Sequence, residues 1–221
     1  MASGKGSLGG MTRLAERLMP CGPVIDGKAA ERTREILTEK LDGAPVLEVA
    51  WPALAPVFGA SPYLSGLARR RPGALLQTLD SDPAERLAGI LADTEAAGRE
   101  PDSDDARKRL RELKADLHLL TALADLGGVW DLDQVTGALA RFADAALHAA
   151  VALVARDEVE RGRLVSVPDG PAGPIPGLMI IAMGKHGAFE LNYSSDIDIT
   201  FFYEPERLPL AEGVEPGDEA V

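Results

Sequence analysis

The chain has 221 residues, of which 46% are hydrophobic, and a formal net charge of −12 from 23 basic and 35 acidic side chains. This size and apolar content exclude a disordered chain and allow one large domain or two small ones. The negative field repels a nucleic-acid backbone, and we interpret the basic runs at 69–71 and 107–109 as solvated helix faces, so we expect no nucleic-acid partner.

The first residues do not predict a signal peptide, because Arg13, Glu16 and Arg17 interrupt the apolar residues there. A single cysteine, Cys21, excludes an internal disulfide. No apolar run approaches the roughly 18 residues that a membrane span requires. We therefore expect a cytoplasmic protein without a membrane partner.

Residues 1–102 are predicted to form a helical amino-terminal region, and scarce aromatic residues favour packed helices. A helical pattern runs from Glu31 to Leu41, and prolines follow it. Because proline lacks an N–H group and disfavours the helical conformation before it, we expect these prolines to break the region into short helices. They are Pro52, Pro56, Pro62 and Pro72.

Residues 103–165 are predicted to form an antiparallel helical hairpin. The first helix carries leucines on one face at three- and four-residue steps: Leu110, Leu113, Leu117, Leu120 and Leu123. Gly127 and Gly128 end it, and Asp131 with Gln134 is typical of a capping box that opens the second helix. The apolar side of that helix is Leu132, Val135, Leu139, Phe142, Ala146, Ala149 and Leu153. The small Ala146 and Ala149 allow close approach, and we interpret His118 and His148 as surface or core filler.

A Pro/Gly-rich linker is predicted over 166–177, followed by a change of pattern. Residues 178–183 form a short continuous apolar run that is typical of a buried strand. Residues 196–203 are rich in Ile, Thr and aromatic residues and predict a second strand. The acidic, proline-broken tail at 206–221 predicts no further core-forming element.

Two acidic side chains stand at the start of the second predicted strand. Since side chains two apart on a strand point to the same face, we expect Asp196 and Asp198 to project side by side, with Ile197 and Ile199 facing the core. Neighbouring carboxylates repel each other unless a cation lies between them. Mg²⁺ prefers such oxygen ligands, so the pair predicts a metal site.

The connector between the two strands predicts a phosphate-binding turn. Gly184 lets the backbone turn sharply and approach a phosphate, and Gly187 permits a second tight conformation. Lys185 supplies a positive charge, and Ser194 or Ser195 can donate a hydrogen bond. Such a site would hold a nucleotide's phosphates beside metal-bound carboxylates, as phosphoryl transfer requires.

The string from Met183 to Asp198, MGKHGAFELNYSSDID, resembles the polymerase-β-type nucleotidyltransferase superfamily. Within that superfamily it resembles the bifunctional glutamine synthetase adenylyltransferase/adenylyl-removing enzymes, most specifically over 178–204 and more weakly over 107–160. The sequence from Glu190 onwards is similar to the amino-terminal, adenylyl-removing half of these enzymes. Two positions depart from the expected pattern: His186 stands where an apolar residue is usual, and Ala188 replaces a frequent glycine.

The resemblance implies an α+β fold, in which a mostly helical lead-in precedes the first two strands of a truncated nucleotidyltransferase domain at 178–205. It implies Asp196 and Asp198 as the catalytic, metal-binding pair for Mg²⁺ or Mn²⁺. The nucleotide and phosphate contacts would be Gly184, Lys185, Gly187, Ser194 and Ser195.

The implied substrates are ATP or ADP and phosphate, together with an AMP-bearing tyrosine of glutamine synthetase. A PII-type signalling protein is the implied regulatory partner, bound through regions beyond this sequence. A third carboxylate is expected beyond Val221, so the 221 residues alone should have little activity. The alternatives are another enzyme of the superfamily, such as a uridylyltransferase or a small-molecule nucleotidyltransferase, and an inert helical docking module.

Overall fold

The computed structural model describes residues 12–165 and 175–215. Within these ranges the chain forms nine α-helices and two β-strands, and this confirms the predicted α+β class. The first five helices are α1 Leu14–Arg17, α2 Gly27–Lys40, α3 Pro45–Ala60, α4 Pro62–Arg70 and α5 Pro72–Asp80. The remaining elements are α6 Pro83–Ala97, α7 Ser103–Leu126, α8 Leu132–Glu160, β1 Leu178–Met183, α9 Gly184–Gly187 and β2 Asp198–Tyr203, with a 3₁₀ turn at Pro205–Arg207.

The described residues belong to two compact units. The first consists of residues up to 86 together with 122–130, and the second of 87–121 together with the residues from 131 onwards. The predicted domain boundaries follow composition rather than contacts and stay a prediction. Most of the predicted linker and the last residues of the predicted tail lie outside the described ranges.

Helix α3 is the centre of the first unit, where it contacts α1, α2, α4 and α5. Pro62 and Pro72 each occupy the first turn of a new helix, as expected. The prediction was wrong for Pro52 and Pro56, which lie inside α3. Each interior proline costs a helix about 3 kcal/mol. Burial of apolar side chains along α3 offsets this cost, among them Leu47, Trp51, Leu54, Val57 and Phe58.

The predicted hairpin helices are present in α7 and α8. The capping box is confirmed, since Asp131 accepts from the Gln134 N–H and the Gln134 side chain accepts from the Asp131 N–H. Ser103 at the start of α7 donates to Asp157 near the end of α8 at 3.2 Å, as an antiparallel pair requires. The predicted apolar side of α8 is wrong at Leu132, which is 74% exposed because it begins the helix beyond the packed turns.

Helix α8 also passes the length and composition test for a membrane span. Its most apolar 18-residue window has a mean hydropathy of 1.5, although no unbroken apolar run of that length occurs. In the structure 56% of that window is buried inside the protein. Since the core helix of a water-soluble domain passes the same test, the feature carries no membrane assignment.

Strands β1 and β2 form an antiparallel sheet in which Leu178 pairs with Tyr203 and Met183 pairs with Asp198. The prediction of a buried first strand was wrong, because its side chains alternate between half-buried and exposed. Met179, Ile181 and Met183 share the more open face, at 55%, 38% and 48% exposure. In the described residues the sheet has only these two strands.

The second strand begins later than predicted. Asp198 is its first residue, whereas Asp196 and Ile197 lie in the irregular segment before it. The alternation of side chains therefore applies only from Asp198 onwards. Ile197, which we expected to face the core, is 40% exposed, and Ile199 is half-buried.

The segment after β2 contributes more than the predicted tail would. Leu210 forms a β-bridge with Leu164, which follows α8. The Ala211 N–H donates to the Arg163 carbonyl at 2.9 Å, and the Val165 N–H donates to the Pro209 carbonyl at 2.8 Å. These backbone bonds attach the chain after the sheet to the end of the second hairpin helix.

Candidate nucleotide and metal site

Gly184 lies where β1 ends and against the start of β2. Its φ is +55°, a left-handed conformation that favours glycine. A Cβ atom at this position would lie 3.2 Å from Oδ2 of Asp198. The antiparallel register explains the contact, because Met183 pairs with Asp198 and Gly184 follows directly. The predicted proximity of the glycine turn to this carboxylate is thus present.

The other glycine of the turn is required for space. A Cβ at Gly187 would lie 2.4 Å from the Ala182 carbonyl oxygen, closer than any side chain could approach. The Glu190 N–H donates to the Lys185 carbonyl at 2.8 Å, which continues the turn beyond α9. Phe189 has a φ of +59°, an uncommon conformation for a residue with a side chain. The connector is therefore a tight, specifically folded turn.

Asp196 and Asp198 are exposed, and within the described ranges neither carboxylate has a hydrogen-bond or ion-pair partner. No group of three or more His, Cys, Asp or Glu side chains in these ranges is arranged to hold a metal ion. The side-by-side projection of Asp196 and Asp198 stays a prediction, because Asp196 precedes the strand whose alternation it assumed. Mg²⁺ is bound in proteins through one or two carboxylates together with substrate phosphates and waters, so the donor set fits this ion.

The two serines belong to a hydrogen-bonded turn organised by Asn192. The Asn192 side-chain oxygen accepts from the Ser194 N–H at 3.2 Å and from the Ser195 hydroxyl at 2.8 Å. The Asn192 N–H in turn donates to the Ser195 hydroxyl oxygen at 3.3 Å. In this conformation the Ser195 proton is engaged, so Ser195 must release Asn192 before it can donate to a phosphate. Lys185 is exposed and has no ion-pair partner among the described residues.

Two contacts to the hairpin were missed by the sequence analysis. His186 is buried, and its Nε2 lies 2.8 Å from Oδ1 of Asp144 on α8. The ring of His118 on α7 packs edge-on against the ring of Tyr193 in the connector, with 6.3 Å between centroids. Burial lowers the pKa of His118, and the positive charge of Lys114 adds to this effect. Spacing along the chain gave no sign of either contact.

A groove of about 620 Å³ lies on the other side of the sheet, between α8 and the residues around β2. Its walls are mostly apolar and include Val151, Leu178, Phe201 and Tyr203. Phe201 and Tyr203 alternate with Asp198 along β2, so the groove and the carboxylate occupy opposite faces. None of the candidate site residues lines it.

Comparison with known proteins agrees with the resemblance carried by the connector. Residues 51–218 match the family model described as glutamate-ammonia ligase adenylyltransferase. Relatives named bifunctional glutamine synthetase adenylyltransferase/adenylyl-removing enzyme include one from Caulobacter vibrioides, which is 64% identical over 96% of this chain and 22% of its own length. Relatives of the same name from Xanthobacter autotrophicus and Rhodopseudomonas palustris are each 43% identical, over 89% and 85% of this chain and 21% and 20% of their own lengths.

The chain spans about a fifth of the length of these curated relatives. No solved structure matches it. The family model covers well over half of the chain, and the match includes the whole connector and both strands. The chain therefore belongs to the glutamate-ammonia ligase adenylyltransferase family.

Proposed function

We propose that this chain is the amino-terminal part of an enzyme that adds AMP to a tyrosine of glutamine synthetase and removes it again, and that it carries part of the adenylyl-removing site. The names of the relatives support glutamine synthetase as the substrate. The resemblance of the segment 190–195 to the adenylyl-removing half supports removal of AMP as the reaction of this part. A PII-type regulatory partner and a cytoplasmic location are extensions of the same proposal.

One observation carries the proposal: the Asp198 carboxylate lies against Gly184, at the turn that also bears Lys185. This arrangement puts a cation-binding carboxylate beside the backbone of Gly184, where no side chain would block the approach of a phosphate. Asp196 and Asp198 would hold Mg²⁺ or Mn²⁺, which would neutralise phosphate charge when bound. Lys185 would bind a nucleotide phosphate, and Ser194 or Ser195 would donate a hydrogen bond to it.

In the adenylyl-removing direction, an oxygen of inorganic phosphate attacks the phosphorus of the AMP group. The bond between that phosphorus and the tyrosine oxygen breaks, the phenolate takes up a proton, and the attacking phosphate leaves as part of ADP. Negative charge accumulates on the transferred phosphoryl oxygens, and a fixed positive charge such as that of Lys185 stabilises it.

We further propose that the 221 residues by themselves have little or no turnover. No group of three His, Cys, Asp or Glu side chains among the described residues could hold a metal ion, whereas the superfamily resemblance implies three carboxylates. The chain also spans only about a fifth of its relatives. Partial function should therefore be visible as binding of Mg²⁺ and nucleotide rather than as catalysis.

The first experiment is calorimetric titration of the chain with ADP, with and without Mg²⁺. We expect Mg²⁺-dependent binding that is lost in the double variant Asp196→Asn/Asp198→Asn. The matched control is Asp93→Asn, an exposed aspartate whose partner is Arg109 on α7, which should bind as the wild type does. Equal binding by the double variant would show that the carboxylates do not hold the metal.

Turnover is tested by replacing the matching part of the Caulobacter vibrioides relative with this chain. We expect phosphate-dependent release of ADP from AMP-bearing glutamine synthetase by the hybrid, and none by the 221-residue chain. Robust release by the chain alone would refute its incompleteness. Release of UMP from a uridylylated protein instead would favour the uridylyltransferase alternative, and the absence of any Mg²⁺-dependent nucleotide binding would favour the inert docking module.

A further inference from the structure

The connector is attached to the helical hairpin by one buried histidine. His186 is 2% exposed and lies in α9, directly after Lys185. Its Nε2 lies 2.8 Å from Oδ1 of Asp144, a half-exposed residue on α8. Because an aspartate carboxylate accepts hydrogen bonds, we assign Nε2 as the donor. The contact therefore joins two elements that are far apart in the sequence.

Filling space does not account for this imidazole. Its other ring nitrogen, Nδ1, is buried and has no hydrogen-bond partner within the described ranges. An unpaired buried polar atom opposes folding, whereas an aliphatic side chain of similar size would leave none. The hydrogen bond from Nε2 to Asp144 offsets this penalty, and it is an interaction that an aliphatic side chain at position 186 could not make.

The turn that His186 belongs to needs external support. Gly184, the first residue of α9, has a φ of +55°, and Phe189, two residues after α9, has a φ of +59°. Helix α9 contacts both strands and α8. Uncommon backbone conformations persist only where the surrounding structure fixes them. The hydrogen bond to Asp144 is the polar contact that fixes the middle of this turn to a long, well-packed helix.

We propose that Asp144 is a positioning residue for the nucleotide site: it acts through His186 to hold the Gly184–Gly187 turn against the Asp198 carboxylate. We call the hydrogen bond from His186 to Asp144 the tether. The effect of the tether on nucleotide binding rests on the proposed function, whereas its effect on the Gly184–Gly187 turn does not. Mutation of a residue that orients metal-binding groups through a second hydrogen bond typically costs about 10- to 100-fold in metal affinity or activity.

The tether is tested by hydrogen exchange in three variants of the chain. We expect Asp144→Ala to accelerate exchange at the amides of Ala188, Phe189 and Glu190 by about tenfold, because these N–H groups bond to carbonyls of α9. Asp144→Asn keeps an accepting oxygen and should restore rates to within about threefold of the wild type. Asp93→Ala breaks a different polar contact of the same length, the 2.8 Å ion pair to Arg109, and should leave the connector unchanged. Unchanged connector exchange in Asp144→Ala, or equal acceleration in Asp93→Ala, would overturn the tether.

The consequence for binding is measured on the same variants with Mg²⁺ and ADP. We expect Asp144→Ala to bind at least about fivefold more weakly, and Asp144→Asn and Asp93→Ala to bind as the wild type does. Accelerated exchange with unchanged affinity would overturn the positioning role while leaving the tether. If the wild type binds no Mg²⁺ and ADP, the proposed function fails, and the exchange rates still decide the tether.

Discussion

Oδ2 of Asp198 lies 3.2 Å from the point that a Cβ atom would occupy at Gly184. A side chain at position 184 would therefore press on the candidate metal ligand, and it would also strain a backbone whose φ is +55°. The two residues form one unit, in which the absence of a side chain on one leaves room for the carboxylate of the other.

Gly184→Ala is expected to weaken Mg²⁺-dependent ADP binding by about tenfold or more, because the added methyl group displaces the Asp198 carboxylate. The left-handed conformation should also lower the free energy of unfolding by about 1–2 kcal/mol. The measurements are calorimetric titration and denaturant unfolding. Gly128→Ala is the matched control, since its φ is +67° and a Cβ there meets nothing within 4 Å. It should lose stability but keep its affinity, and equal loss of affinity in both variants would contradict the argument.

Gly187→Ala is expected to distort the turn more severely, because the methyl group would lie 2.4 Å from the Ala182 carbonyl oxygen. The Ala182 carbonyl belongs to the backbone and cannot rotate away as a flexible side chain could. We therefore expect the backbone around α9 to shift. Chemical shifts of the amides from 184 to 190 report this change. The matched control is Gly89→Ala, because Gly89 lies in α6 and a Cβ there meets nothing within 4 Å. This control should leave the shifts from 184 to 190 unchanged and raise the free energy of unfolding by up to about 1 kcal/mol. Native shifts in Gly187→Ala would show that the turn tolerates a side chain.

Asn192→Ala is expected to release Ser194 and Ser195 from their turn, because both use the Asn192 side-chain oxygen as acceptor. We expect faster amide exchange at Ser194 and a change of a few fold in ADP affinity. Ser81→Ala removes a hydroxyl that bonds to the Gln77 carbonyl at 2.7 Å in the first unit, and it should change neither. If exchange at Ser194 stays slow, Asn192 does not organise this turn.

His118 predicts a pH dependence of stability. Burial lowers the pKa of His118 below its ordinary value of 6.5, with Lys114 contributing in the same direction. Between the lowered pKa and 6.5 the unfolded chain binds more protons than the folded one, so stability falls as the pH falls through this window. From about one pH unit above 6.5 the residue is neutral in both states and contributes no pH dependence.

The test compares unfolding free energies of the wild type and His118→Gln from pH 7.5 to 5. We expect the wild type to lose more stability on acidification below pH 6.5, by at most about 1.4 kcal/mol per pH unit from this group. His118→Gln also loses the ring contact to Tyr193, so the slope rather than the absolute value carries the result. Parallel curves would mean that His118 is not desolvated in the folded protein.

The sequence by itself determined the helical hairpin, the two strands and the string that identifies the family. These features depend on local rules: leucines at helical spacing, a capping pair at Asp131 and Gln134, and a glycine where a strand must turn. Local rules misjudged Pro52 and Pro56, because the cost of an interior proline is local whereas the burial of α3 is not. They also placed the second strand two residues early, since the same residue types fill the irregular segment before it.

The sequence predicted that the glycine turn lies near the carboxylates, but only the tertiary structure decided which individual residues meet. The contact of Asp198 with Gly184 follows from the register of two strands, and the bond from His186 to Asp144 follows from the packing of α9 on α8. Neither distance is encoded in the spacing of residues along the sequence, because each depends on how separate elements pack together. The chemistry of the connector can thus be predicted from its residues, whereas its attachment to the hairpin depends on the fold.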